Sequence, residues 1–357
     1  MDDGMIRAEA VWPECELYID ALLAEDQEKR DERFLAHLKE IEAVVLRLLE
    51  TEETLFDVRM RKKGICLAGT GSLTGKKFVD VIRQGCDDRC RFLPFVNDNP
   101  YVQAHHAAVE DLSLEDIDDY GPYEQVEKLN AAVTMIRGVL QSKAMREYLT
   151  KLDKAKQKRR QSAQTIINAL RDKHARVEVL RLDLNYRKGK YVDLDDFAGA
   201  LSDVKRDWAR FRHDLVNGLY KPGVLGYMAK LEYGLLSGFH FHVVVICNGS
   251  KHWHDIQRAQ MLGEHWKHHV VTPGEGRYYN CNRHKDDYRY LGIGTLDYYD
   301  HAKYSALVNL VVEYMIKTDF IMAAEAPGER VWFRSAHKPL KVAERRGRPR
   351  KFIHHDV

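Results

Sequence analysis

The chain has 357 residues, of which 45% are apolar and 31% are charged, and its formal net charge is +2. This composition is typical of a globular protein rather than of a disordered or fibrous one, and no apolar run approaches the ~20 residues of a membrane helix. The charge is unevenly distributed, because residues 1–60 carry 17 acidic and 7 basic side chains while residues 326–357 carry 3 acidic and 9 basic ones. A basic end of this kind indicates contact with a polyanion.

The cysteines and the first residues predict a cytoplasmic protein. The six cysteines are scattered along a mid-sized chain, which is typical of reduced thiols. The chain begins Met-Asp-Asp-Gly, without the basic and apolar segments of an export signal. Cys86 and Cys90 with His105 and His106 are a zinc candidate whose spacing differs from that of the usual zinc motifs.

The N-terminal half is predicted to be mostly helical. Apolar residues recur at three- and four-residue spacings over residues 18–55, and helix is expected again over residues 110–175. Residues 61–104 are expected to form short irregular pieces; within them Gly69–Lys77 lacks two residues that a phosphate loop requires. The basic stretch 151–160 is either a solvated helix face or a surface that contacts phosphates.

After residue 176 the pattern indicates strands alternating with helices. Residues 177–185 alternate apolar and polar side chains, as a half-buried strand does. Residues 224–233 and 239–246 are predicted to form a hairpin, and a further strand is expected within residues 288–297. Helices are predicted over residues 193–216, 253–267 and 305–320. This order predicts an α+β fold, with helices packed on one sheet.

His240 and His242 are candidate metal ligands. In Gly-Phe-His-Phe-His-Val the two-residue period of a strand puts both imidazoles on one face, where they can bind one divalent cation. The alternative is a pair of core histidines that bond to backbone carbonyls. His252 and His254 form a second His-x-His pair at a predicted helix start, and we expect them on the helix surface or at the rim of the site.

Glu232 is a candidate third ligand. It lies eight residues before His240, where folding of the hairpin would bring it beside the histidines. One carboxylate and two imidazoles with open positions suit Mg²⁺ or Mn²⁺ bound together with a phosphate. The alternative is an ordinary exposed strand residue.

Tyr314 is a candidate nucleophile, with Lys317 as its partner. Tyr314 shares the apolar stripe of its predicted helix, and Lys317 follows three residues later on the same side. Tyrosine can attack phosphorus while lysine offsets the charge of the transition state. The alternative is a boundary tyrosine with a lysine whose ammonium group reaches solvent.

In this order the motifs resemble those of the HUH endonucleases, which include rolling-circle replication initiators, conjugative relaxases and single-strand transposases. The motifs are the strand Val179–Leu184, Glu232 followed by His240-Phe-His242, and Tyr314-Met-Ile-Lys317, which fits the family's YxxK. The resemblance is strongest to filamentous-phage replication proteins of the gene-two type and to YagK/YfjJ-like prophage proteins. It covers about residues 176–322, and it departs at Arg181 and Asp183, where many relatives carry Thr.

The resemblance implies a fold and a domain division. Residues 166–325 would form an HUH-type antiparallel sheet with packed helices around an RRM-like core. Residues 1–165 would be a mostly helical region of unknown role. Outside the range of the resemblance, the residues themselves predict that 326–357 form a basic tail, in which Arg-Gly-Arg-Pro is similar to the core of an AT-hook. The tail would contact either an A/T minor groove or phosphates only; its candidate DNA-binding residues are Arg346, Arg348, Arg350 and Lys351.

The resemblance also implies a reaction and partners. Tyr314 would nick one DNA strand as a 5′-phosphotyrosine and leave a 3′-OH that primes rolling-circle replication. Glu232, His240 and His242 would hold Mg²⁺ or Mn²⁺. The implied partner is single-stranded or supercoiled origin DNA of a phage, prophage or related element, and a host helicase is a further candidate. Two alternatives stay open: an HUH transposase or relaxase that mobilises DNA, and a non-catalytic DNA-binding prophage regulator.

Overall fold

The computed structural model describes residues 25–52, 54–60, 66–70, 72–85, 98–192, 194–218, 220, 223–250 and 254–336. The chain divides into two compact units. One unit comprises Asp20–Leu152, and the other comprises Asp153–Val357 together with Met1–Ile19. They are called the helical unit and the sheet unit below. The division falls within one long helix.

The helical unit is built from helices and one small hairpin. Buried apolar side chains at helical spacing, among them Phe34, Ile41 and Val45, give its helices a common core. Its elements are α1 (Glu25–Leu49), β1 (Phe56–Met60), β2 (Cys66–Thr70), α2 (Leu73–Gln84), α3 (Pro100–Asp111), α4 (Pro122–Leu140) and the first part of α5 (Lys143–Lys173). The helix predicted within residues 18–55 and those predicted after residue 110 are present. Residues 61–104 are more regular than expected, since they contain β2, α2 and the start of α3.

The sheet unit holds a six-stranded antiparallel sheet, so an α+β fold is present. Its strands are β3 (Arg176–Tyr186), β4 (Val224–Gly234), β5 (Gly238–Asn248), β6 (Gly276–Asn280), β7 (Gly294–Asp297) and β8 (Trp332–Arg334). Their lateral order is β6-β3-β5-β4-β8, and β7 pairs with β3. The predicted hairpin is confirmed as β4 and β5. The strand expected within residues 288–297 is limited to β7, and β6 and β8 were not predicted.

Helices cover both faces of this sheet. One face, which bears the phenylalanines of β5, is covered by α6 (Phe197–Val216) and α7 (Asp255–His265). A π-helical segment extends α7 through Val270. The ring of Trp208 on α6 stacks on the ring of Phe241, with the centroids 5.0 Å apart. On the other face, α5 packs with residues of a C-terminal helix in one apolar cluster. Every residue of β3 after Arg176 is therefore buried. The prediction that this strand is half-buried is wrong, because neither face is left to solvent.

The C-terminal helix differs in extent from the one predicted over residues 305–320. α8 (His301–Ala306), a π-helical segment (Leu307–Val312) and α9 (Glu313–Met315) follow one another without a break and are called the Tyr314 helix below. It ends before Lys317, because Asp319 caps the next helix, α10 (Phe320–Glu325), by accepting a 3.0 Å hydrogen bond from the Met322 amide.

Candidate active site

Three neighbouring strands place the candidate ligands on one face of the sheet. In the antiparallel register, His240 on β5 lies opposite Glu232 on β4, and His242 lies between Asp183 on β3 and Lys230 on β4. Directly opposite residues of an antiparallel pair project from the same face. The face that bears the imidazoles therefore also carries two carboxylates and a lysine, and it is the face covered by the Tyr314 helix.

Glu232, His240 and His242 form a group that could bind a metal ion. Their ligand atoms all lie within 4.8 Å of one another, and no other such group occurs among the described residues. Oε2 of Glu232 lies 3.4 Å from Nε2 of His242 and 3.9 Å from Nε2 of His240. Glu232 is buried, so the predicted alternative of an exposed strand residue is wrong.

The donor atoms of this group fit a cation. Nε2 of His242 and Oε1 of Glu232 are buried and make no hydrogen bond within the described part of the chain. Buried polar atoms in proteins are ordinarily hydrogen-bonded. Two imidazole nitrogens and a carboxylate oxygen are ligands that a divalent ion accepts. The residues present therefore suit a metal ion better than a self-contained core.

The other nitrogen of each imidazole is held by the chain. Nδ1 of His242 donates to Oδ1 of Asp183 at 2.6 Å, and Nδ1 of His240 donates to the carbonyl oxygen of Gly238 at 3.1 Å. Such contacts fix the ring orientation and the tautomer. In both histidines they leave Nε2 directed toward Glu232.

Burial and neighbouring charges act together on these groups. Burial alone would raise the pKa of Glu232, but Lys317, His242 and Lys230 outweigh it and hold that pKa well below its ordinary value. Burial and the neighbouring His242 lower the pKa of His240 to about 4. Burial also lowers the pKa of Lys230. Glu232 is thus an anion and His240 a neutral imidazole near neutral pH, which are the forms that bind metal. Although burial lowers the pKa of His242, Asp183 and Glu232 outweigh it and raise that pKa, so a metal ion must displace a proton from this ring.

Tyr314 and Lys317 lie beside this group. The centroid of the Tyr314 ring lies 5.0 Å from the centroid of the His242 ring. Nζ of Lys317 lies 4.6 Å from the Tyr314 ring centroid and 3.4 Å from Oε2 of Glu232. Burial raises the pKa of Tyr314 to about 12, although Lys317 acts in the opposite direction. The structure brings together five predicted site residues: Glu232, His240, His242, Tyr314 and Lys317.

Sequence reasoning gave no role to three charged neighbours of the site. Asp183 bonds to His242, Arg181 lies with its Cζ 4.8 Å from the Tyr314 ring centroid, and Nζ of Lys230 lies 3.8 Å from Oε1 of Glu232. All three are buried. Their signal in the sequence is a charged residue at every second position of a strand, on the same face as the histidines.

Helix α5 contacts the residue that precedes Tyr314. Oε1 of Glu313 lies 2.6 Å from Nζ of Lys156. Oε2 of Glu313 accepts a hydrogen bond of 3.1 Å from Nη1 of Arg160. Nη2 of Arg160 also donates to Oδ1 of Asn309 at 2.9 Å. Part of the basic stretch 151–160 therefore forms intramolecular ion pairs.

Other predicted features lie elsewhere or outside the described residues. The tail residues Arg346, Arg348, Arg350 and Lys351 lie outside them, as do Cys86, Cys90 and His252. His254 is exposed at the start of α7, and His105 is buried in α3. Ser72 caps α2 by accepting from the Gly75 amide at 3.0 Å, so residues 73–77 are the first turn of a helix. Among the described residues, no helix is both long and apolar enough to span a membrane.

Comparisons with known proteins give no match. No protein-family model, no curated protein and no solved structure matches this chain.

Proposed function

We propose that this chain is a metal-dependent HUH endonuclease that nicks and rejoins one DNA strand to initiate rolling-circle replication of a phage, prophage or related element. The observation that carries the proposal is the position of Tyr314, whose ring lies 5.0 Å from the ring of a histidine that belongs to the candidate metal group. Phosphoryl transfer to tyrosine can use this combination, in which a cation polarises the phosphate and a lysine offsets the developing charge.

The strand order supports the same proposal. The sheet unit runs β3-α6-β4-β5-α7-β6 along the chain, and these four strands have the lateral order β6-β3-β5-β4. This is the β-α-β-β-α-β arrangement of ferredoxin-like folds, which an RRM-like core shares. The two histidines lie on β5, a central strand, where the backbone is held on both sides.

Each residue of the site has a separate task in this proposal. Glu232, His240 and His242 hold Mg²⁺ or Mn²⁺, which when bound polarises the scissile phosphate. The phenol oxygen of Tyr314 forms a bond to phosphorus, the bond from phosphorus to the 3′ oxygen breaks, and the phenolic proton ends on that oxygen. Lys317 offsets negative charge in the transition state. The reverse reaction rejoins the strand without a nucleotide cofactor.

Covalent capture of DNA tests the proposal. The chain is incubated with Mn²⁺ and either supercoiled candidate origin DNA or a pool of random-sequence single-stranded oligonucleotides. We expect a denaturant-resistant adduct that retains a 3′ label, and a released 5′-labelled fragment that a DNA polymerase can extend. Peptide mass spectrometry should locate the adduct at Tyr314. The nucleophile assignment is wrong if the wild-type chain forms no adduct, or if Tyr314→Phe still forms it.

A further inference from the structure

Arg181 is buried in the middle of the sheet unit. It has 1% of its surface exposed, and it lies opposite Val244 and two residues before Asp183, so its side chain projects from the face that carries His242. A permanently charged guanidinium is costly to bury unless its surroundings compensate for the lost hydration. The groups around Arg181 therefore indicate what it does.

The guanidinium lies near the Asp183 carboxylate and the Tyr314 ring. Nη2 lies 3.6 Å from Oδ1 of Asp183, but that oxygen already accepts a shorter hydrogen bond of 2.6 Å from His242. Cζ lies 4.8 Å from the Tyr314 ring centroid, within the ~6 Å over which a cation is attracted to an aromatic ring. Nζ of Lys317 lies 4.6 Å from the same centroid. The ring of Tyr314 is thus contacted by two cations, one from the sheet and one from beyond its own helix.

The backbone under Arg181 is rigidly held. Its amide donates to Oδ1 of Asn282 at 2.7 Å, and the Asn282 side chain, which is 0% exposed, donates in turn to the Val179 carbonyl at 3.0 Å and to Asp255 at 2.9 Å. Tyr314, in contrast, lies one residue from the end of its helix, where the backbone leaves the helical pattern and the Lys317 amide donates to the Tyr314 carbonyl at 3.4 Å. The sheet therefore provides a fixed cation against which the tyrosine ring can be positioned.

We propose that Arg181 is a positioning residue for Tyr314, holding the ring over β3 and stabilising the negative charge of its oxygen during strand transfer. The proposal rests on the proposed function. When Tyr314 attacks, its oxygen gains a bond to phosphorus and its proton ends on the departing 3′ oxygen. In rejoining, the 3′ hydroxyl attacks phosphorus, the Tyr314 oxygen leaves with the bonding electrons, and it regains the proton. A cation against the ring favours the charged form in both directions.

A double-mutant cycle tests the contact without requiring activity. Thermal midpoints are measured in metal-free buffer for the wild type, Arg181→Met, Tyr314→Leu and the double variant. We compare the loss of thermal midpoint that Arg181→Met causes in the wild type with the loss it causes in Tyr314→Leu. If Arg181 holds the ring, the loss is smaller in Tyr314→Leu by about 2–4 °C. A matched control is Arg176→Met on the same strand, which should shift the midpoint equally in both backgrounds. Equal shifts for Arg181→Met overturn the positioning role, even if the wild type nicks DNA.

Single-turnover adduct formation tests the second half of the proposal. Arg181→Met should form the adduct about tenfold more slowly, with unchanged affinities for Mn²⁺ and for the oligonucleotide. Arg181→Lys, which retains the cation and is the variant more compatible with folding, should restore part of the rate. An unchanged rate in Arg181→Met, or an equal loss in Arg181→Lys, overturns the role in strand transfer. If the wild type forms no adduct, the proposed function fails, and the cycle still decides whether the contact positions Tyr314.

Discussion

Nδ1 of His242 donates a 2.6 Å hydrogen bond to Oδ1 of Asp183, the residue directly opposite it on β3. Carboxylates that hold the far nitrogen of a metal-binding histidine contribute about 10–100-fold to metal affinity. We expect Asp183→Ala to weaken Mn²⁺ binding by about this factor in calorimetry, and Asp183→Asn to weaken it less, since an amide oxygen still accepts the bond. Asp297→Asn, on strand β7, is the control and should bind as the wild type does. Wild-type affinity in Asp183→Ala would refute the orienting role.

Metal binding should raise the stability of the wild-type chain and depend on His240. A ligand at about 100 times its dissociation constant stabilises the folded state by about 2.7 kcal/mol. Mn²⁺ should therefore raise the thermal midpoint of the wild type and of His254→Ala, which alters the second His-x-His pair. His240→Ala should fold, because its side chain is partly exposed, and show no shift. Unfolding of His240→Ala without metal would instead favour the interpretation of core histidines.

Lys317 would compete with a bound metal ion for Glu232. Its Nζ lies 3.4 Å from Oε2 of Glu232, and its side chain is 48% exposed, so solvent screens the pair. Lys317→Met should bind Mn²⁺ as tightly as the wild type or up to about fivefold more tightly, because Glu232 loses a competing cation. The same variant should form the DNA adduct more slowly, since transition-state charge is no longer offset. Loss of metal binding in Lys317→Met would contradict this division of roles.

The ion pairs between α5 and Glu313 should stabilise the end of the Tyr314 helix. Glu313 contacts Lys156 and Arg160, and the three side chains are only 21–33% exposed. We expect Glu313→Ala to lower the free energy of unfolding by about 1 kcal/mol in urea titrations. Asp203→Ala removes a more exposed ion pair on α6 and should have little effect. If the two variants lowered the free energy of unfolding equally, the ion pairs with α5 would stabilise the chain no more than an exposed ion pair does.

Gly292 should be required for the position of the Tyr314 helix. A Cβ at Gly292 would lie 2.6 Å from the backbone nitrogen of Leu307 and 2.7 Å from the carbonyl carbon of Ala306. Backbone cannot yield as a flexible side chain does, so Gly292→Ala should cost about 1–3 kcal/mol. Gly138→Ala in α4 has open space around the added methyl group and should stabilise by about 0.5–1 kcal/mol. Urea unfolding of both variants measures the contrast.

Local patterns were sufficient to predict part of this site. The two-residue period of β5 put both histidines on one face, and the hairpin brought Glu232 opposite His240, because strands joined by a short turn have little freedom of register. The pairing of Asp183 with His242 was not predictable in this way. It joins strands 59 residues apart in sequence, and only the packed sheet sets their register.

Helix boundaries were less predictable than the placement of the residues. The Tyr314 helix begins four residues earlier than predicted and ends five residues earlier, at Met315 rather than at residue 320. Its π-helical segment changes the spacing of side chains, which a period of 3.6 residues does not describe. Lys317 nevertheless lies beside Tyr314, since the chain turns after α9 and the long side chain returns toward the ring.

The length of the loop between β4 and β5 limits which sequence changes are compatible with the site. β5 carries phenylalanines on one face and imidazoles on the other, so moving it by one residue against β4 would exchange the two sets. Gly238, at the start of β5, has φ +62°, and a Cβ there would lie 2.5 Å from the Tyr191 carbonyl oxygen. Surface loops ordinarily tolerate insertions and deletions. An insertion or deletion in Leu235–Ser237 that moved β5 by one residue against β4 would reverse the face on which the histidines lie, so the site limits how the length of this loop can change.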